Sequence, residues 1–152
     1  MTQRFQKATD ALYDSFFNGT LAKGVCVRCA VGNIVGAAQH ALGNDGNNAW
    51  WSSLFYSSCG KQFRYYNYPY HEALLLTLTE YTADELAEVE WAFENNTRID
   101  HSVYNIHTEQ EILEDQYNGL CAVFDVLMGL DGMDEEPVHQ AKLRTHPQLQ
   151  II

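Results

Sequence analysis

The chain has 152 residues, enough for one domain to bury about 70% of its unfolded surface, and with 46% hydrophobic residues and nine tyrosines it is not a disordered polymer. Its net charge of −11 is unevenly placed: residues 1–76 carry six Lys or Arg against four acids, and residues 77–152 carry three against sixteen. A field of that sign disfavours direct binding to nucleic-acid phosphates, and no apolar run reaches the ~20 residues that span a bilayer.

Met1 to Lys7 show no charged stretch leading into an apolar block, so no export signal and a cytoplasmic location are expected. In a reducing compartment Cys26, Cys29, Cys59 and Cys121 are expected as thiols rather than as a disulfide framework. Phe5, Ala8, Leu12 and Phe16 recur at helical spacing before Asn18-Gly19, predicting a helix over 3–18 with Asp10 and Asp14 outward. The small-residue stretch from Leu21 to Leu42 predicts a helix over about 26–42, in which Gly32 and Gly36 would permit close approach of another element. Gly43 to Asn48 is a turn-rich loop that lacks the acidic twelfth ligand of a calcium loop.

The aromatic runs Ser53–Ser57 and Gln62–Tyr66 flank Gly60 and predict a short β-hairpin. The apolar run His71–Leu78 fits either periodicity. Thr82 or Asp84 caps a predicted helix running to about Asn95, with Leu86, Val89 and Phe93 on its buried face. Thr108 with Glu111 three residues later forms a capping box for the longest predicted helix, 109–129, whose apolar face holds Leu113, Tyr117, Leu120, Phe124 and Leu127. The expected fold is therefore mainly α (α+β), about four helices and one hairpin in a single domain over 1–137. Residues 138–152 are expected to form a loosely packed tail.

Three features bear on chemistry. Cys26-Val27-Arg28-Cys29 places two thiols at a spacing that suits zinc or iron ligation or a redox pair. No second ligand pair with metal spacing accompanies them, so core-packed thiols are the competing account. Glu111, Asp115, Asn118 and Asp125 form a polar, mostly acidic stripe that suits a basic protein partner. A metal shared with Glu90 or Glu94 would need the Glu-x-x-His pattern of di-iron bundles on the helices themselves, and neither 84–95 nor 109–129 contains a histidine. The aromatics between Trp50 and Tyr70 exceed what one small core hides comfortably. Trp50, Trp51 and Tyr66, with Arg64 among them, are the candidate recognition surface for a small ligand or nucleotide. No nucleophile elbow and no phosphate-binding glycine loop occurs, which shifts the balance from an enzyme toward a binding protein. No cofactor is specified beyond zinc at Cys26 and Cys29.

Phe17-Asn18-Gly19-Thr20-Leu21-Ala22-Lys23-Gly24 leading into Cys26-x-x-Cys29-Ala30-Val31-Gly32-Asn33, together with Glu114-Asp115-Gln116-Tyr117-Asn118-Gly119-Leu120, resembles a group of small uncharacterised proteins from Bacteroidetes genomes and their phages. The resemblance implies a cytoplasmic accessory protein of a phage or mobile element. It brings no reaction and no catalytic residue.

Overall fold

A computed structural model describes residues 3–21, 29–41, 55–57, 63–65, 69–99, 107–132 and 142–149. The first helix, α1 (Gln3–Phe17), buries Phe5, Ala8, Leu12 and Phe16 along one stripe. It stops where the sequence says it should. Gly19 turns left-handed at φ +73°, Gly19 N–H donates to Phe16 O at 3.4 Å and Thr20 N–H to Ser15 O at 2.9 Å, the paired bonds of a Schellman ending.

The second helix, α2 (Ala30–Ala41), begins later than the periodicity suggested. Cys29 is its cap and not its interior. The Cys29 carbonyl accepts from Asn33 N at 3.0 Å and from Asn33 Nδ2 at 2.9 Å, while Sγ accepts from Gly32 N at 3.3 Å. Two three-residue strands follow, β1 (Phe55–Ser57) and β2 (Phe63–Tyr65), antiparallel with Tyr56 opposite Arg64. Everything else in the described fold is helical or turn.

The ambiguous run after Pro69 is a helix, α3 (Pro69–Thr79), so five substantial helices stand where about four were expected. Proline suits the first position because its missing N–H would be unpaired there anyway. Leu75 is fully buried, whereas Tyr70 and Leu76 face outward. Glu80 ends α3 in the left-handed region at φ 65°, with its N–H on Leu76 O at 2.9 Å.

Both remaining helices carry reciprocal capping boxes: Thr82 with Glu85 opens α4 (Ala83–Asn95), and Thr108 with Glu111 opens α5 (Glu109–Leu130). These two helices pack along each other, α1 lies against α2 and α5, and α2 also meets α3 and α4. Phe5, Phe16, Tyr81, Phe93 and Phe124 sit fully buried where these faces converge. Arg4 ties the start of α1 to the end of α5. Its Nη2 donates to Asp131 Oδ1 at 2.6 Å, Nη1 reaches Glu85 Oε1 at 3.3 Å, and the guanidinium lies 4.4 Å from the Tyr81 ring centre.

The α4–α5 contact depends on one glycine. A Cβ at Gly119 would lie 2.6 Å from Thr97 Cγ2 and 2.8 Å from Phe93 Cδ1. Gly119→Ala is therefore expected to destabilise the protein by about 2 kcal/mol, since overpacking outweighs the ~1 kcal/mol gain in helix propensity. Urea unfolding of the two proteins checks this, and a more stable variant would refute it.

The expectation of a loosely packed tail does not hold for residues 142–149. Leu143, His146 and Leu149 are buried, and Pro147–Leu149 forms a 3-10 turn against α5. The physical reason is aromatic: His146 packs on Phe16 and Phe17 with ring centres 5.0 and 5.6 Å away.

Candidate functional site

The first three turns of α5 and the 98–99 segment that follows α4 border an open cleft of about 480 Å³ whose lining includes Arg98, Glu111, Glu114, Asp115 and Asn118. Each carboxylate there already has work within the chain. Glu111 Oε1 accepts from Thr108 N at 3.2 Å and Oε2 faces His107 Nδ1 at 3.4 Å. Hydrogen bonds from Thr108 and then His107 hold the Glu111 carboxyl below the usual range, so it stays ionised. Glu114 accepts from Arg144 Nη1 at 2.7 Å.

Asp115 departs from the solvated stripe the sequence implied. It is buried, and its two oxygens accept from Arg98 N at 2.7 Å and Ile99 N at 3.0 Å. It thereby pins the chain leaving α4 onto α5. Asp125 is exposed on α5, more than two turns beyond Asp115. Glu111 and Asp115 thus share a cleft that Asp125 does not line.

A second acid lies deeper. Glu90 on α4 is 3% exposed, and its Oε1 accepts from Val31 N, in the first turn of α2, at 3.0 Å. Burial pushes the Glu90 carboxyl up to about 7, opposed by the Cys29 thiol and the Val31 amide and reinforced by Glu94. Glu90 and Cys29 together cap α2 from two directions. Periodicity held the clue: Glu90 stands four residues after Leu86 and three before Phe93, on the buried stripe.

That same geometry turns Trp91 outward. Asp84, Glu88, Trp91 and Asn95, at spacings of four, three and four, form one exposed stripe on α4. Trp91 is 42% exposed. Neither α4 nor α5 contains a single Lys or Arg, so nothing within these helices neutralises Asp84, Glu88, Glu109, Glu111 or Asp125.

Of the remaining sequence candidates, Cys26, Trp50, Trp51 and Tyr66 lie outside the described residues. Arg64 is placed by its backbone opposite Tyr56. Cys29 is buried as a cap. Among the described residues no group of three or more His, Cys, Asp or Glu is arranged to hold a metal ion, and no helix is long and apolar enough to cross a membrane. No family model, curated protein or solved structure matches the chain.

Proposed function

We propose that this protein is a non-catalytic binding protein that captures a basic protein partner through the outward stripe of α4, in the role of a phage or mobile-element accessory factor. The observation that carries the binding surface is the Asp84–Glu88–Trp91 stripe on a helix without a basic residue. Exposed carboxylates draw a cationic partner by long-range attraction and set its orientation. An exposed tryptophan beside them supplies contact area and a face for an arginine guanidinium. The accessory role rests on the resemblance of the 17–33 and 114–120 stretches to phage-associated proteins. Asp115, one of the α5 stripe residues that the sequence nominated with Glu111 and Asp125, is unsuited to testing the idea because it holds backbone in place.

The test uses a fluorescently labelled nona-arginine peptide as a generic cationic partner, titrated at several salt concentrations. Reversing Asp84 and Glu88 to Lys is expected to weaken binding at least tenfold, and Trp91→Ala severalfold. The control reverses Asp10 and Asp14, exposed on α1, which changes net charge equally and should leave most of the affinity intact. Equal losses from the two double reversals would mean that only total charge matters, and the α4 surface would be abandoned.

A further inference from the structure

Residues 142–149 lie against α1 and α5 in the manner of a bound peptide. Two cations flank a leucine. Lys142 Nζ sits 4.0 Å from the Tyr13 ring centre, and the Arg144 guanidinium sits 4.0 Å from that of Tyr117. Between them Leu143 is completely buried. Arg144 also donates to Glu114, His146 packs on Phe16 and Phe17, and Leu149 closes the segment in a buried position. Tyr13 and Phe16 belong to α1, while Glu114 and Tyr117 belong to α5, so the two helices form the walls of a groove.

Lys142 and Arg144 are two of only three Lys or Arg in residues 77–152, and both are spent on tyrosine faces in this groove. Ordinary terminal packing needs buried Leu143 and Leu149, but not a pair of cation–ring contacts on either side of a leucine. Those contacts read a sequence pattern: charge, apolar side chain, charge. The acidic Glu114 selects the same sign.

We infer that the α1–α5 groove is a recognition site for a peptide of the form basic–leucine–basic, and that residues 142–149 occupy it as a tethered competitor. This rests on the basic partner proposed above and adds to it the short motif by which that partner is selected. A partner segment carrying the motif displaces residues 142–149, so the C-terminal segment lowers the apparent affinity of the groove until a better ligand competes it away.

The experiment uses the full chain and a labelled peptide with the sequence of Val138–Gln150. In the Lys142→Glu, Arg144→Glu variant the tethered copy is repelled by Glu114 and loses both ring contacts. The labelled peptide is expected to bind this variant at least tenfold more tightly than the unaltered protein, and a peptide bearing Leu143→Asp to bind neither. Unchanged or undetectable affinity, in a variant that still melts cooperatively, would overturn the inference. If the variant does not fold, amide exchange of the unaltered protein decides. Thr145, His146 and Leu149 should then exchange at least tenfold faster than the interior amides of α1 and α5. Exchange only with global unfolding would make the segment a permanent part of the core and also overturn the inference. Because nona-arginine binding at Asp84 and Glu88 is measured separately, loss of the groove leaves the α4 result standing, and the reverse.

Discussion

Glu90→Gln is expected to melt at nearly the same temperature as the parent protein at pH 4 and about 5–10 °C above it at pH 8.5. The buried carboxyl has its pKa raised from 4.5 to about 7 in the folded protein, whereas in the unfolded chain it titrates near its ordinary value. Folding therefore favours the protonated form. The associated stabilisation is complete below about pH 4.5 and is lost as pH rises through 7, a change on the order of 3 kcal/mol. For a chain of this size each kcal/mol corresponds to roughly 2–4 °C. Glutamine keeps an oxygen for Val31 N–H and carries no charge at any pH, so it imitates the protonated acid throughout. Carboxylates remote from Glu90 are common to both proteins, which makes the difference between the two curves the diagnostic quantity. Parallel curves from pH 4 to 8.5 would show that Glu90 is ionised without cost and that its burial has been misjudged.

How much of this was legible beforehand depends on how far each residue reaches. The Thr82 and Thr108 capping boxes and the Gly19 stop are local devices, complete within a few residues, and sequence reveals them directly. Cys29 escaped because a thiol is not among the preferred capping groups, so the small-residue run looked helical from Cys26 onward. α3 escaped because Leu74, Leu75, Leu76 and Leu78 crowd one short run and blur its polarity, although only Leu75 among them is buried in the core. Glu90 and Asp115 were invisible for a different reason. Their partners are backbone amides at Val31, Arg98 and Ile99, 59, 17 and 16 residues away, and no composition or spacing rule announces a carboxylate that serves a remote backbone. The C-terminal segment is the extreme case, since Tyr13 and Phe16, which hold Lys142 and His146, lie near the other end of the chain.

Residues 17–21 and 114–120 meet through Leu21 and Gln116, and the contacts made by the 114–120 stretch are structural. Gln116 Nε2 donates to Leu21 O at 2.7 Å, Gly119 admits Thr97 and Phe93, and Asp115 takes two backbone amides. Glu88 and Trp91, on which the proposed partner surface rests, lie outside both stretches.

Asp115 supplies the sharpest separation of those two roles. Asp115→Ala leaves the Arg98 and Ile99 amides without their acceptor, and each such loss costs about 1–3 kcal/mol. Both amides lie partly within reach of water, which places the total near 2–3 kcal/mol, or roughly 5–8 °C in melting temperature. Asp115→Asn is expected to recover only part of this, because its amide nitrogen turns a donor toward one of the two N–H groups. Asp125→Ala, exposed on the same helix, should change stability by less than about 0.5 kcal/mol. Gly119 stands one turn after Asp115 and packs on Thr97, so Asp115→Ala and Gly119→Ala both loosen the 97–99 segment and their combined cost should fall short of the sum. Measured below the melting transition, Asp115→Ala is expected to bind nona-arginine as the parent does. A fold left intact with binding abolished would reverse the assignment and move the partner surface from α4 to the Asp115 cleft.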